Sequence, residues 1–315
     1  MDFAQFKEKY QEKKVREYPH KMTPTPLVSV MVQTYQHKEF IEECLDSILK
    51  QETDFPFEIL LGEDSSTDGT REICISYAEK YPEKIRLFLH HSDNKIRVMD
   101  FPTGNFNSLY SFYKARGEYI AFCEGDDYWT DPFKLQKQVD FLKENFGFVL
   151  SYHRFKELLT DFAKGEAPNL LEQPAKDLEK KELTQLLFHP LLSTICFKNS
   201  FKGDLPEEML QVLNVDSFLI SLLGNYGKGK FLKEVMPSIY RRHSSGSWTS
   251  KNGDLRLLLK LNTLQKLENY YLRLKRPQLA SFFHLRVKQY YRSLCRFYFV
   301  NGKIKSSLKY LPRAI

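Results

Sequence analysis

The amino-acid sequence predicts an α/β fold: a mostly parallel sheet flanked by helices, followed by a basic helical appendage. Short apolar runs alternate with amphipathic segments along the first half of the chain, which is typical of parallel strands connected by helices. The most polar clusters come directly after three of these runs. The last segment, residues 255–315, carries 14 Lys and Arg residues and one acidic residue, Glu268, in a chain of net charge +7.

Length and composition limit the class of protein. The chain has 315 residues, enough for one large α/β domain with an appendage, and 42% of them are hydrophobic. No run approaches the roughly 18 consecutive apolar residues of a membrane span, and residues 1–21 lack the apolar core of a secretory signal. The five cysteines lie far apart, without the spacing of a metal site or a disulfide framework. We therefore expect a cytoplasmic protein.

The elements follow one another in a regular order. Residues 1–25 are polar and charged, which predicts a helical or loose N-terminal extension. After it, each β-branched apolar run predicts a buried strand and each amphipathic segment a helix. The predicted strands are 27–33, 57–61, 85–89, 119–123 and 148–152. The predicted helices are 37–51, 68–81, 105–115 and 131–145.

The second half is less regular. Residues 156–180 are charged and contain proline, which predicts a loop or insertion. A smaller mixed region covers about 183–250, and basic amphipathic helices are predicted for the remainder.

Three polar clusters stand at the ends of predicted strands. They are Gln33 to Gln36, Glu63 to Gly69, and Glu124 to Asp127. Because ligands bind outside the carboxyl ends of parallel strands, we expect these loops to form one crevice.

The cluster Glu124-Gly125-Asp126-Asp127 places three carboxylates within four residues. Such groups raise one another's pKa unless a cation lies among them. Carboxylate oxygens suit a hard divalent cation, which usually also takes phosphate oxygens. The alternative is an acidic turn that caps the helix beginning near Asp131.

Four segments together resemble family 2 glycosyltransferases, whose fold is the Rossmann-like GT-A fold of nucleotide-diphospho-sugar transferases. They are VSVMVQTY from Val28, EDSSTDGT from Glu63, GEYIA from Gly117, and EGDDYWTDP from Glu124. The resemblance covers residues 26–135 in order and spacing, and 136–250 more loosely. It implies a GT-A domain over 26–250, with a donor-binding half at 26–135 and an acceptor half at 136–250. An N-terminal extension at 1–25 and a basic helical tail at 251–315 flank that domain.

The resemblance also implies roles in binding the nucleotide-sugar donor. Thr34 and Tyr35 would line the pocket of the base, and Asp64 would hydrogen-bond the base, usually uracil. Asn105, before the third helix, would face the donor, although a helix cap explains its position equally well.

The acidic cluster takes the place of the family's DxD motif. Glu124 would lie near the ribose and Asp126 would bind the metal, Mn²⁺ or Mg²⁺. Glu124 stands where the family more often has Asp, so Asp126 is the first candidate for a direct ligand. His243 would reach the metal or the diphosphate. Arg241 or Arg242 would neutralise phosphate charge, and Arg242 is the residue that we choose. A structural role for His243 is the alternative.

The family places its general base at an Asp that begins a helix in the second half of the domain. Asp216, in the segment from Asn214, fits that position. A positioned carboxylate that removes the acceptor proton contributes about 10²–10⁴-fold to the rate. The alternative is that Asp216 is only a helix N-cap.

Basic residues alternate with aromatic ones in the tail, as in the segment 290–299. This pattern suits either nucleic acid or an anionic membrane surface. Since glycosyltransferase acceptors are often lipid-linked glycans, we expect membrane contact on the inner face of the cell membrane and no nucleic acid. The alternative is that the helices pack on the catalytic domain and their charges are merely solvated.

The sequence therefore predicts a metal-assisted, inverting transfer from a UDP-sugar to a glycan or lipid-linked acceptor in the synthesis of surface polysaccharide or glycoconjugate. A catalytically decayed module that binds membrane or nucleic acid is one alternative. A sugar-1-phosphate nucleotidylyltransferase is another, but the loop after the first strand, from Gln33 to His37, lacks the glycines of that class.

Overall fold

A computed structural model of the chain describes residues 1–22, 25–160, 175–201, 203–243 and 253–314. The strands are β1 (Arg16–Glu17), β2 (Val28–Thr34), β3 (Phe57–Glu63), β4 (Ile85–Leu89), β5 (Ile96–Val98), β6 (Phe101–Thr103), β7 (Tyr119–Phe122), β8 (Phe148–Tyr152), β9 (Phe155–Leu159), β10 (Cys196–Lys198), β11 (Lys228–Phe231) and β12 (Ser238–Arg242). The helices are α1 (Phe3–Tyr10), α2 (Ile41–Leu49), α3 (Thr70–Lys80), α4 (Asn105–Lys114), α5 (Lys134–Glu144), α6 (Lys180–Thr184), α7 (Val215–Leu223), α8 (Gly253–Arg273), α9 (Pro277–Val300) and α10 (Ile304–Ala314). No helix in this described part of the chain combines the length and apolar character that a membrane span needs.

The central sheet is mixed but mostly parallel, with the order β1-β4-β3-β2-β7-β10-β8-β11. β2 lies in its middle and pairs in parallel with β3 on one side and β7 on the other. β10 runs antiparallel between β7 and β8. The carboxyl ends of β2, β3 and β7 therefore lie side by side, and the predicted fold class is confirmed.

Helices cover both faces of this sheet. Alternate residues of β2 point to opposite faces, so that Val30 and Val32 belong to one apolar core and Met31 to the other. One core includes residues of α2, α3 and α5, and the other includes residues of α4, α7, α8 and α9. Burial on both faces explains why the central strands are almost continuously apolar in sequence.

The N-terminal extension forms the helix that the sequence allows, and this helix packs on the domain. Asp2 and Gln5 form a capping box at the start of α1. Phe6 is fully buried and stacks on Phe106 of α4. β1 then adds an antiparallel edge strand to β4.

Two helices begin later than the sequence predicts. α2 begins at Ile41, which leaves His37 in the loop after β2, where its N–H donates to Thr70 Oγ1 at 2.9 Å. α5 begins at Lys134, because Asp131 Oδ1 accepts the N–H of Phe133 and closes a turn before the helix. The N-cap residue Phe133 makes no side-chain cap, and Gln51 Oε1 accepts the N–H of Leu135 at 3.0 Å, so the acidic cluster does not serve as the cap of α5.

The prediction of a loop over residues 156–180 is wrong at both ends of that range. Strand β9 occupies its start and pairs in parallel with β12, and α6 begins at Lys180. The pairing of β9 joins segments about 80 residues apart, so no local pattern announces it. Residues 161–174 lie outside the described residues.

The predicted basic helices at the end of the chain form, and the first two pack on the domain. Tyr271 of α8 is fully buried, and its hydroxyl lies 2.9 Å from Ser221 Oγ of α7. Phe283 of α9 is also fully buried and stacks on Tyr271 with ring centroids 5.6 Å apart. Packing therefore accounts for the inner faces of α8 and α9.

Candidate active site

Loops from β2, β3 and β7 meet at the carboxyl edge of the sheet. The N–H of Asp64 donates to the carbonyl of Thr34 at 3.0 Å, and the N–H of Gly125 donates to the carbonyl of Gln33 at 2.9 Å. A Cβ on Gly125 would lie 2.7 Å from Thr34 Oγ1 and 2.9 Å from His37 Nδ1. Glycine is thus the residue that lets the acidic loop approach the loop after β2. The predicted convergence of the three loops is confirmed.

Asp126 lies between two imidazoles. His243 Nε2 is 3.1 Å from Asp126 Oδ2, and His37 Nε2 is 3.8 Å from the same oxygen. One ligand atom from each residue lies within 4.8 Å of the others. The structure therefore brings together the two predicted metal ligands, Asp126 and His243. It adds His37, which the sequence analysis missed although it directly follows the first polar cluster.

The protonation states of this trio suit a metal. Burial alone raises the pKa of Asp126, but the hydrogen bond from His243 and the charges of His37 and His243 hold that pKa below its ordinary value. Burial lowers the pKa of the His37 imidazole. An ionised carboxylate and a neutral imidazole are the forms that bind a cation.

The other two carboxyl groups of the cluster lack such compensation. Burial raises the pKa of Glu124 to about 8, and the charges of Asp126 and Asp216 add to this effect. Burial also raises the pKa of Asp127, whose Oδ1 accepts the N–H of Arg241 at 3.0 Å. Asp127 Oδ2 is buried without a hydrogen-bond partner among the described residues. Because unpaired buried carboxylates are costly, added positive charge would stabilise this loop.

Two adjacent arginines of β12 have different surroundings. Arg241 Nη1 donates to the carbonyl of Asp126 at 2.8 Å, its guanidinium forms an ion pair with Glu43 of α2, and it lies 4.7 Å from the ring centroid of Tyr128. Arg242, the predicted phosphate-binding residue, pairs with the buried Glu157 of β9 at 3.1 Å. Arg241 thus holds the acidic loop in place, and a donor contact of Arg242 stays a prediction.

The residues expected at the base of the nucleotide lie at the ends of β2 and β3. Lys95 Nζ is 2.5 Å from Asp64 Oδ2 and 5.7 Å from the ring centroid of Tyr35, which is 53% exposed. Burial raises the pKa of Asp64, and Lys95 partly offsets this. Thr34 is buried against Gly125, and its contact with a base stays a prediction. Lys95, from the segment after β4, is a second residue that the sequence analysis missed.

Asp216 comes from the second half of the domain. It lies in the first turn of α7, whose N-cap residue is Asn214, and no side chain caps this helix. His189 Nε2 is 3.3 Å from Asp216 Oδ2. Because the charge of Asp216 contributes to the raised pKa of Glu124, the two carboxyl groups belong to one electrostatic environment.

Asn105 does not cap its own helix. Its side-chain amide donates to the carbonyl of Val212, four residues before Asp216. Asn105 therefore holds the segment before α7 in place, and its contact with the nucleotide-sugar donor stays a prediction.

Comparison with known proteins places the chain in a family. The sequence model described as Glycosyl transferase family 2 matches residues 29–197, which include β2, β3, β7 and the acidic loop. The chain belongs to this family. The match ends before Asp216 and His243, so their roles rest on the geometry above and on the resemblance.

The relatives extend this finding. An uncharacterised protein of Mycobacterium tuberculosis is 34% identical over 230 residues, which are 73% of this chain and 62% of that protein. The chain therefore spans less than two thirds of this relative. A putative teichuronic acid biosynthesis glycosyltransferase of Bacillus subtilis is 34% identical over 119 residues, which are 38% of this chain and 43% of the relative.

Solved structures share the fold. The S. aureus protein TarS, as a fragment 1–349 in complex with UDP-GlcNAc, superposes with a TM-score of 0.53 at 18% identity, covering 89% of each chain. A longer TarS structure gives a TM-score of 0.55 at 18% identity and covers 82% of this chain and 43% of TarS. At this identity the likeness supports the GT-A fold alone.

Proposed function

We propose that the protein transfers a sugar from a UDP-sugar to a glycan or lipid-linked acceptor, with metal assistance and inversion of configuration. The observation that carries this proposal is Asp126 between His37 and His243, in a loop whose Glu124 shares one electrostatic environment with Asp216. Membership of family 2 supports the class of reaction. The relative named for teichuronic acid biosynthesis supports a role in surface polysaccharide synthesis.

The donor atoms fit a divalent cation. A cation held by His37, Asp126 and His243 would offset the charge that develops on the diphosphate leaving group. Mg²⁺ is usually bound through oxygen atoms and water. Two imidazole nitrogens beside one carboxylate therefore favour Mn²⁺ over Mg²⁺, because first-row transition metals bind nitrogen ligands more readily.

Asp64 and Lys95 together can bind a nucleotide base in which an N–H group stands next to a carbonyl. The carboxylate accepts a hydrogen bond and the ammonium donates one, and they lie 2.5 Å apart beside the exposed ring of Tyr35. Uracil presents this combination at N3 and its neighbouring oxygens, whereas cytosine presents an acceptor at N3. The pair thus supports UDP over CDP, and the TarS complex with UDP-GlcNAc is consistent with that choice.

Asp216 is the proposed general base. Its carboxylate takes the proton of the acceptor hydroxyl while the acceptor oxygen bonds to the anomeric carbon and the bond to UDP breaks. A single displacement of this kind inverts the configuration. Arg241 holds the acidic loop through the Asp126 carbonyl, so the carboxylates keep their places as the leaving group gains charge.

Two other hypotheses are less well supported. The hypothesis of a catalytically decayed binding module does not explain why Asp64, Asp126 and Asp216 are grouped with two imidazoles at one crevice. A nucleotidylyltransferase would need a glycine-rich phosphate loop, and the loop from Gln33 to His37 contains no glycine.

We also propose that the enzyme works in the cytoplasm, on the inner face of the cell membrane. Lipid-linked acceptors reside there, and the helices after residue 254 carry 14 basic residues and one acidic residue. Nucleic acid is not an expected partner.

UDP release from a panel of UDP-sugars, with water or added glycan as acceptor, tests the proposed reaction. We expect Mn²⁺-dependent release with at least one donor, and its loss in Asp216→Asn without loss of UDP binding by calorimetry. The matched control is Asp93→Asn, an exposed aspartate outside the crevice. The proposed reaction is wrong if no donor is turned over and the affinity for UDP does not depend on Mn²⁺. Unchanged turnover in Asp216→Asn would remove only the base assignment.

A further inference from the structure

The end of α9 and the outer side of α10 expose a group of large apolar side chains. Phe299 and Val300 are 67% and 74% exposed, and Ile304, Leu308 and Leu311 are between 46% and 59% exposed. The last three are spaced i, i+4 and i+7, so they form one stripe along α10. We call these five residues, together with the neighbouring exposed residues Lys305 and Lys309, the tail face.

Basic residues lie directly beside this stripe. Lys305 and Lys309 each follow a residue of the stripe by one position, and both are exposed. Lys303 and Arg313 are exposed at the two ends of the helix. Lys303 lies 3.8 Å from Asp254 of α8, whereas Lys305 and Lys309 have no ion-pair partner among the described residues.

α10 is held against α9 by residues outside the stripe. Ser307 Oγ donates to the carbonyl of Cys295 at 2.9 Å. The ring of Tyr310 stacks on Tyr298 with centroids 5.9 Å apart and an interplanar angle of 11°. Because α10 packs on α9 through these contacts, its apolar stripe points outward.

Chemistry selects one occupant for the tail face. Nucleic acid would pair with the lysines but offers no apolar phase to Ile304, Leu308 and Leu311. A second copy of the chain would cover the leucines but would bring two sets of lysines together, at an electrostatic cost. An anionic lipid leaflet offers phosphates to the lysines and an apolar phase to the stripe. An interfacial helix buries its apolar face about 5–10 Å into the boundary between headgroups and acyl chains.

We infer that the tail face docks on an anionic lipid leaflet, with the apolar stripe inserted and the lysines at the phosphates. This inference rests on the peripheral location proposed above and is independent of the proposed chemistry. It names the surface that makes the contact: α10 and the end of α9, while the packed inner faces of α8 and α9 stay on the domain.

Vesicle co-sedimentation of the full chain tests the inference. Vesicles of phosphatidylcholine with and without phosphatidylglycerol are the probes, at low and high salt. We expect binding only to the anionic vesicles, weakened by salt. Lys305→Gln with Lys309→Gln should weaken it about 25-fold, since each lysine near an anionic leaflet contributes a factor of about five. Leu308→Ser with Leu311→Ser should weaken it by roughly tenfold or more.

Matched controls keep the result specific. Lys180→Gln with Lys181→Gln removes the same charge from exposed positions of α6, and Phe146→Ser removes an exposed aromatic ring elsewhere. Both should bind vesicles as the wild type does. A crevice variant, Asp126→Asn, should also bind normally, which separates this inference from the proposed reaction.

Any of the following results would overturn the inference. One is equal affinity of the wild type for neutral and anionic vesicles. Another is vesicle binding that survives both double substitutions. The third is self-association of the wild type in solution that the leucine substitutions abolish, or tighter binding to an RNA oligonucleotide than to anionic vesicles.

Discussion

The crevice lies at the carboxyl ends of β2, β3 and β7, and its charges are negative. The tail face carries positive charges. The two sets of charges also differ in their surroundings. In the crevice, carboxylates are buried or partly buried among fixed partners, such as Asp126 between two imidazoles. On the tail face, Lys305 and Lys309 are exposed to solvent. Buried charges act strongly at short range, whereas exposed charges are screened by salt beyond about 10 Å. The molecule therefore separates a site for a small, highly charged ligand from a surface for an extended one.

Removing a negative charge from the crevice, while the tail face stays unchanged, should have the largest effect. Asp126→Asn should lower turnover with the best UDP-sugar by about 10²–10³-fold, the loss typical of removing a group that stabilises developing charge. The measurement is UDP release at saturating Mn²⁺, with Asp93→Asn as control. Equal turnover in Asp126→Asn and the control would show that the carboxylate is not part of the chemistry.

Removing the packing beneath α9 tests whether the basic helices belong to the domain. Phe283→Ala should lower the free energy of unfolding by about 3–5 kcal/mol, because the ring is fully buried against Tyr271. Leu285→Ala, at an exposed position of the same helix, should change it by about 0.5 kcal/mol or less. Urea denaturation measures both. A loss for Phe283→Ala no larger than that of the control would mean that the helices are not docked.

Recognition of the nucleotide base is a second test of the crevice. Lys95→Gln should weaken UDP binding about tenfold, since a hydrogen bond to a charged group contributes about 1.5–3 kcal/mol and glutamine keeps a donor. Calorimetry with UDP and CDP gives the preference directly. An unchanged ratio of the two affinities would contradict the assigned role of Lys95.

Acid should lower the free energy of unfolding through one buried histidine, His90. Burial, with the charges of Lys95 and Arg71, lowers the pKa of His90 to about 3, against 6.5 for the ordinary side chain. The folded state therefore excludes a proton that the unfolded state takes up. The contribution of His90 to stability is complete above pH 6.5 and falls by up to about 1.4 kcal/mol for each pH unit below it.

A variant isolates this contribution. His90→Phe keeps a ring between Phe106 and Tyr110 and should flatten the decline of the unfolding free energy between pH 6.5 and 5. His91→Asn, at the exposed neighbouring position, should leave the decline as it is. Parallel curves for His90→Phe and the wild type would contradict the assignment.

The sequence predicts well what local patterns encode. Apolar runs gave β2, β3, β4, β7 and β8, and the polar clusters at strand ends gave Asp64 and Asp126. Strand β9 escaped prediction because its partner β12 lies about 80 residues away. His37 escaped because the apolar spacing after it suggested that the helix began at residue 37, whereas α2 begins at Ile41.

The two arginines of β12 show a second limit. Side chains alternate between the faces of a strand, so a one-residue difference in register decides which arginine reaches the acidic loop. The sequence analysis chose Arg242 for phosphate charge, while Arg241 is the one that contacts Asp126 and Glu43. Only the pairing of β12 with β9 fixes that choice.

Mn²⁺ binding, followed by electron paramagnetic resonance with and without UDP, tests the central claim most directly. We expect the wild type to bind Mn²⁺ and UDP to tighten this binding. His37→Asn and Asp126→Asn should each weaken Mn²⁺ binding at least tenfold, while Asp93→Asn should bind as the wild type does. If all four proteins bind Mn²⁺ with the same affinity, or none binds it even with UDP, the crevice is not a metal-assisted donor site.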